Sequence, residues 1–153
     1  MKMEKWRYLL EDEGGASLVE MALVLPLFLL LLFGAIDFGR AYYLSTEVAG
    51  AAHAAAVYGS QNPTDTAGIR TAAQDDAPDV PSISVGTPTY GCECSDGSSY
   101  SANCSTTPSC PGTTVVYRVN VSATGTFTPL FPWPGIPSTL SFSSSASMRS
   151  AGS

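Results

Sequence analysis

The sequence predicts an α+β fold, in which one long N-terminal helix packs against a small three-stranded antiparallel sheet that carries a disulfide-stapled loop. Residues 16–36 form an apolar run with a single charge, and residues 49–58 continue it as an alanine-rich stretch. Residues 115–123 alternate apolar and polar side chains, as a half-buried strand does. Four cysteines fall within residues 92–110. A helical segment followed by short strands indicates the α+β class.

The apolar run is long enough to cross a bilayer. Its 21 residues measure about 31 Å as a helix, against about 30 Å for the hydrocarbon core of a membrane. The apolar region of a secretory signal peptide is shorter, about 7–15 residues, and small residues follow it at the cleavage point. Here residues 37–43 form a charged, aromatic border, as found where a span meets the membrane interface. We therefore expect a retained transmembrane helix over residues 16–40.

The basic residues that flank the span predict its orientation. Lys2, Lys5 and Arg7 precede it, whereas Arg40 alone follows closely. Lysine and arginine are retained on the cytoplasmic side. We expect a single-pass protein of the inner (cytoplasmic) membrane, with a cytoplasmic N-terminus and an extracytoplasmic C-terminal region. An even number of cysteines in a Ser/Thr/Gly-rich stretch fits that oxidising compartment.

Two helical segments are predicted before the strands begin. The long helix continues to about residue 59, where Gly59 and the Asn62-Pro63 pair are stop signals. A second helix is predicted over residues 64–76, with Pro63 at its first turn and Ile69 facing inward. Residues 41–76 should therefore form an extracellular helical region.

The β-rich region is predicted over residues 80–149, with the cysteine loop at 92–110. Residues 82–85, 115–123 and 139–148 have the alternation of three strands. Three strands with one apolar face form a stable sheet when they pack on a helix. We expect them to pack on the extracytoplasmic half of the long helix.

A proline-rich segment, residues 127–137, connects the last two predicted strands. We expect Phe127, Leu130 and Phe131 to cap the sheet against the helix. Trp133 in the same segment is a candidate binding anchor.

The four cysteines are expected to form two disulfides. Zinc sites usually pair ligands two to four residues apart, whereas Cys92 and Cys94 are separated by one residue, and Cys104 and Cys110 by five. No metal is therefore predicted. Two pairings remain open, 92–104 with 94–110 or 92–110 with 94–104, and each closed loop contributes about 3 kcal/mol in the chain-entropy estimate. The stapled loop is also a candidate partner-binding surface.

Composition argues against nucleic-acid binding and catalysis. The chain has 13 acidic and 7 basic residues, a net charge of −6, whereas nucleic-acid binding needs a basic patch. The sequence has neither a Gly-x-Ser-x-Gly motif nor a phosphate-binding loop, and its single histidine, His53, lies in the alanine-rich stretch. We expect His53 to be a half-buried packing residue. No enzymatic activity and no cofactor are predicted.

One carboxylate lies in the apolar run, and its position needs an explanation. Glu20 at the centre of a bilayer would cost about 2.5–3.5 kcal/mol. Gly15 stands five residues before it, after a short charged leader. The plain alternative is that Glu20 is an ordinary anchor residue whose carboxylate reaches the membrane interface.

This constellation of Gly15 and Glu20 before an apolar run resembles the type IV prepilin processing site. The resemblance implies a leader at residues 1–15 and cleavage by a prepilin peptidase between Gly15 and Ala16. A glycine lies readily in an extended conformation within a protease cleft. Glu20 would then be fifth in the mature chain, and it would pair with the terminal amine of a neighbouring subunit during assembly.

A wider stretch resembles the TadE-like proteins, through residues 15–26 and 37–43 and, more weakly, residues 127–132 and 146–149. The resemblance implies a type IV pilin-like fold and a minor pilin or pseudopilin of the tight-adherence (Tad) pilus. Its partners would be other pilin subunits, the Tad assembly machinery and the lipid bilayer, with the chain also entering extracellular pili. The alternatives are a membrane-anchored extracellular binding or adhesion module and a pseudopilin of a secretion apparatus.

Two further features of the span have structural interpretations. Pro26 removes one helical hydrogen bond and favours a kink, although membrane helices tolerate proline. Asp37 and Arg40 are three residues apart on one helical face, so they are predicted to pair at the outer interface.

Overall fold

A computed structural model describes residues 13–106 and 108–150. The chain divides into two compact units, Met1–Arg40 and Ala41–Ser153, which we describe separately. Most of the predicted leader, residues 1–12, lies outside the described residues. The secondary-structure elements are α1 (Glu13–Gln61), α2 (Thr66–Asp76), β1 (Ser84–Val85), β2 (Thr89–Cys94), β3 (Tyr100–Ser101), β4 (Val115–Phe127) and β5 (Leu140–Ser150).

Helix α1 contains 49 residues and supplies the whole described part of the first unit. It was predicted over residues 16–59 and extends slightly beyond both of those ends. Pro26 lies inside the helix and does not end it. The large apolar side chains between Leu18 and Leu32 are all exposed in the isolated chain. Such a surface is stable only in contact with lipid or with other apolar helices.

Helix α2 begins two residues later than predicted because Asp65 caps it. The Asp65 carboxylate accepts a hydrogen bond from the backbone N–H of Gly68 at 2.9 Å and another from the Tyr58 hydroxyl at 2.8 Å. A side chain that accepts a bond from the third residue of a helix is a typical N-cap. Pro63 therefore precedes the helix instead of occupying its first turn. Ile69 is fully buried, as predicted.

The α+β class is confirmed, but the sheet has five strands and not three. β4 is central: β5 pairs along one side of it, and β1 and β2 pair along the other, with β3 outside β2. All pairs are antiparallel. The additional strands are β2 and β3, which lie within or beside the cysteine loop, because that loop folds back as a hairpin on β4.

The core of the second unit lies between the helices and the inner face of β4. Alternate residues of β4 from Val119 to Phe127 are buried, which fits the predicted alternation. Helix α1 contributes mostly small side chains, so its axis comes close to the sheet. A Cβ added to Gly125 would lie 2.7 Å from Val48 Cγ2 and 3.3 Å from Leu44 Cδ1. The core contains Leu44, Val48, Ala51, Ala52, Ala55, Ala56, Ile69, Ala73, Ala77, Val80, Val119, Val121, Ala123 and Phe127.

The proline-rich segment caps the sheet only at its first residue. Phe127 is 6% exposed and packs in the core. Leu130 and Phe131 are 59% and 39% exposed, so the prediction that they cap the sheet was wrong. The prolines turn the chain away from the sheet immediately after Phe127, because they cannot continue the ladder of backbone hydrogen bonds.

Candidate functional site

The candidate cleavage point lies in the first turn of α1. The helix begins at Glu13, two residues before Gly15. Gly15 is exposed, and a Cβ built on it meets no atom within 4 Å. The fold therefore does not need a glycine here. A peptidase that binds this bond in an extended form must first unwind the helix end, where few backbone bonds hold it.

Glu20 lies on the exposed surface of α1 among apolar side chains. The nearby residues Leu18, Val19, Met21 and Leu23 are between 59% and 74% exposed. Within residues 13–106 and 108–150, no hydrogen bond or ion pair reaches the Glu20 carboxylate. A carboxylate in an apolar surface is costly unless a cation or hydrogen-bond donor meets it. Among the described residues, this carboxylate therefore lies in an apolar surface without such a group beside it.

Pro26 falls near the middle of the apolar run. Because proline has no N–H, the carbonyl of Ala22 loses its usual partner within the helix. The helix remains continuous across this position. Pro26 thus removes one backbone hydrogen bond from α1, six residues after Glu20.

Asp37 and Arg40 approach each other at the end of the first unit. Arg40 Nη1 lies 3.3 Å from Asp37 Oδ1. Asp37 is buried, whereas the Arg40 side chain is 47% exposed. The arginine therefore partly neutralises the only acidic residue between Glu20 and Glu47.

The structure pairs Cys92 with Cys104 and Cys94 with Cys110, one of the two pairings that the sequence left open. Their Cα atoms are 5.4 and 5.5 Å apart, as disulfides require. Cys92 and Cys94 lie on one face of β2, since side chains two apart on a strand share a face. Both are fully buried. Two closed loops thus hold a segment that has few apolar side chains of its own.

A buried carboxylate on the outer face of the sheet was not predicted from the sequence. Glu93, on β2 between the two cysteines, is 3% exposed. Its Oε2 accepts a hydrogen bond from Arg118 Nη1 of β4 at 2.9 Å, and its Oε1 accepts one from Arg149 Nε of β5. Arg118 also donates to Ser147 Oγ at 2.9 Å. The Glu93 carboxylate thus connects three adjacent strands.

Opposing effects act on the pKa of Glu93. Burial raises the pKa, but the hydrogen bond from Arg149 and the positive charges of Arg118 and Arg149 outweigh burial and lower it below the ordinary value of 4.5. The carboxylate is therefore charged at neutral pH. Arg118 and Arg149 stand directly opposite each other on β4 and β5, and Glu93 offsets the repulsion that two like charges have there.

The remaining polar candidates form no catalytic arrangement within the described residues. His53 is exposed and not half-buried as predicted, because it lies on the face of α1 opposite the sheet. No group of three His, Cys, Asp or Glu side chains suited to a metal ion occurs in the described part of the chain. The features that distinguish the chain are the apolar surface of α1, with Glu20 in it, and the stapled sheet.

Together these features define a pilin-like α+β protein with one candidate membrane span near its N-terminus, found among the described residues. The family model described as TadE-like protein matches residues 15–57, which confirms the predicted resemblance. The match begins at the candidate cleavage glycine, includes Glu20, Pro26, Asp37 and Arg40, and ends in the alanine-rich part of α1. No curated protein and no solved structure matches the chain.

Proposed function

We propose that the chain is a minor pilin or pseudopilin of the Tad pilus system. A prepilin peptidase cleaves it between Gly15 and Ala16, and the mature subunit assembles through α1. Before assembly it is held in the inner membrane by residues 16–40, with its N-terminus in the cytoplasm. The similarity of residues 15–57 to TadE-like proteins supports this role, and that family is one of structural proteins and not of known enzymes.

The observation that carries the proposal is the surface of α1 in the first unit. A ring of exposed large apolar side chains surrounds the helix, and it contains one carboxylate. In the membrane, lipid covers these apolar side chains. In a filament, the apolar helices of other subunits cover them. The same surface therefore serves both the anchored and the assembled state.

Glu20 supplies the specificity that apolar contact lacks. Cleavage after Gly15 creates a positive amine on Ala16, four residues from Glu20. The positive end of the helix dipole favours a carboxylate near this terminus by about 0.3–1 kcal/mol in exposed settings. A neighbouring subunit's amine would pair with Glu20 and set the axial register of the two helices. Charge pairs in apolar surroundings act more through specificity than through bulk stability.

The second unit is suited to a low-copy or tip position. Two disulfides and the Glu93 ion cluster fix a sheet that a simple helical filament subunit would not need. A binding module that stays in the membrane would share this unit, and a secretion pseudopilin would share both units. Processing at Gly15 and entry into fibres would separate the proposed pilin from a binding module that stays in the membrane. Neighbouring genes of the tight-adherence type would separate it from a secretion pseudopilin.

Gly15→Ala should prevent the 15-residue shortening of the chain by a prepilin peptidase, while the chain still folds and inserts into the membrane. The reason is that the structure has free space around Gly15, so the added methyl group affects the peptidase and not the fold. Intact-mass measurement after co-expression with the peptidase reports the shortening.

Gly39→Ala is the matched control, because Gly39 is also in α1 and also has no atom within 4 Å of an added Cβ. It should be processed like the unmodified chain. If the unmodified chain keeps residues 1–15 in the presence of an active peptidase, the proposed function is wrong.

A further inference from the structure

We propose that the proline-rich loop, residues 128–138, is a second membrane contact, which inserts its apolar side chains into the interfacial layer of the bilayer that α1 crosses. The inference needs the membrane span but not the role in a pilus. It concerns a surface that the assembly role of α1 does not use.

The loop exposes an apolar surface without charge. Leu130 is 59% exposed, Ile136 48% and Phe131 39%, and residues 128–138 contain no acidic or basic side chain. Single exposed apolar residues are common on proteins, but several within one short loop mark an interaction surface. The half-buried Trp133 packs its ring edge-to-face on Phe131, with centroids 6.4 Å apart. Tryptophan is enriched at the membrane interface, because its ring is apolar and its N–H remains hydrated.

The backbone of the loop is also suited to an environment poor in water. Four of its 11 residues are prolines, and these have no N–H group that needs a partner. At the tip, Pro134 and Gly135 form a turn in which the Ile136 N–H donates to the Trp133 carbonyl at 3.1 Å. Gly135 has φ +82°, as the third position of a type II turn requires. Five of the 11 positions therefore have either no N–H group or an N–H group bonded within the turn.

The position of the loop within the second unit favours the membrane as its partner. The loop leaves β4 at Phe127, two residues after Gly125, and Gly125 lies against Leu44 of α1. Leu44 is only four residues beyond Arg40, the last residue of the predicted span. Because Ala41 directly follows the predicted span, this end of the second unit is the one nearest to the span along the chain. The opposite end of β4 is about 40 Å away, at about 3.3 Å per residue.

The test uses three full-length proteins that each contain one tryptophan, reconstituted in phospholipid nanodiscs. The chain has two tryptophans, Trp6 and Trp133. The first protein carries Trp6→Phe and keeps Trp133. The second and third carry Trp6→Phe and Trp133→Phe together with either Tyr100→Trp or Phe28→Trp. Tyr100 is a matched control, since it is an aromatic residue 53% exposed at the other end of the sheet. The tryptophan introduced by Phe28→Trp shows whether the span lies in the bilayer.

Quenching by brominated phospholipids is measured for each protein, with bromine near the headgroup or deep in the acyl chain. We expect Trp133 to lose most of its emission with the shallow bromine and less with the deep one. Tryptophan at position 28 should be quenched by the deep bromine, and tryptophan at position 100 by neither.

Every other result contradicts the inference. If position 28 is quenched and Trp133 is not, the loop does not enter the bilayer, although the span does. If Trp133 is shielded only when the protein associates with a second copy or another subunit, its partner is protein and not lipid. Equal quenching at positions 100 and 133 indicates non-specific adsorption. If position 28 is not quenched, α1 does not cross the bilayer, and the proposed membrane contact of the loop is then also wrong.

Discussion

Glu20→Gln should lower the amount of the chain in sheared surface fibres at least tenfold, while leaving its amount in the membrane unchanged. The substitution keeps the size of the side chain and removes its charge, so α1 still crosses the bilayer. What it removes is the pairing with the Ala16 amine of a neighbouring subunit. Two unit charges about 4 Å apart at an effective dielectric constant of about 20 attract by about 4 kcal/mol.

Desolvation of both charges offsets part of that attraction. A remainder of only about 1.4 kcal/mol is still a tenfold change in the association equilibrium. Quantitative immunoblotting of sheared fibres and of washed membranes measures the two populations.

Glu47→Gln is the matched control, because Glu47 lies on the same helix beyond the span. It should leave the fibre fraction unchanged. If the Glu20→Gln variant is found in fibres at the level of the unmodified chain, Glu20 does not dock one subunit on another, and the ordinary-anchor interpretation of this residue is correct.

Glu93→Gln should lower the free energy of unfolding of the second unit by about 1–3 kcal/mol at neutral pH, the usual cost of breaking a charged hydrogen-bond cluster. The substitution leaves Arg118 and Arg149 facing each other across β4 and β5 without a negative charge between them. Because both arginines are more than a third exposed, water screens part of their repulsion, and we do not expect the larger cost of a fully buried ion pair.

The destabilisation should depend on pH in a defined direction. The folded pKa of Glu93 lies below 4.5, so the charged carboxylate stabilises the fold at every pH above about 4.5. This contribution is lost as the pH falls through the folded pKa, where the carboxylate becomes protonated. The difference in stability between the unmodified protein and the Glu93→Gln variant should therefore be constant near neutrality and shrink in acid.

Urea unfolding of the detergent-solubilised protein, followed by near-ultraviolet circular dichroism, measures this difference at each pH. Asp75→Asn is the control, since Asp75 is an exposed carboxylate on α2. It should change stability little at any pH. A Glu93→Gln variant as stable as the unmodified protein at neutral pH would show that the cluster has no net effect.

The parts of the fold that depend on local patterns were predictable. A continuous apolar run followed by alanines predicts α1 regardless of what it packs against, and the strict alternation from Val115 predicts β4. In both elements the pattern continues over many residues, so a residue with a different local preference does not interrupt it. The candidate site residues of the span also lie close together in the sequence, so their spacing along one helix follows directly from helical geometry.

The parts that depend on long-range pairing were not predictable. β2 reads as loop because Gly91 and two cysteines interrupt its pattern, and only its pairing with β4 makes it a strand. The ion cluster joins Glu93 to Arg149, which are 56 residues apart in the chain, and nothing local marks either residue. Leu130 and Phe131 were expected to cap the sheet against the helix because they are apolar, whereas the prolines beside them direct the chain outward.

The mass of the chain in purified surface fibres tests the central claim most directly. The account predicts that fibres sheared from piliated cells contain this chain with Ala16 as its first residue, and that the membrane of a peptidase-deficient strain contains it with residues 1–15 still attached. Fibres that carry the uncut chain, or piliated cells that keep the processed chain wholly in the membrane, would contradict it.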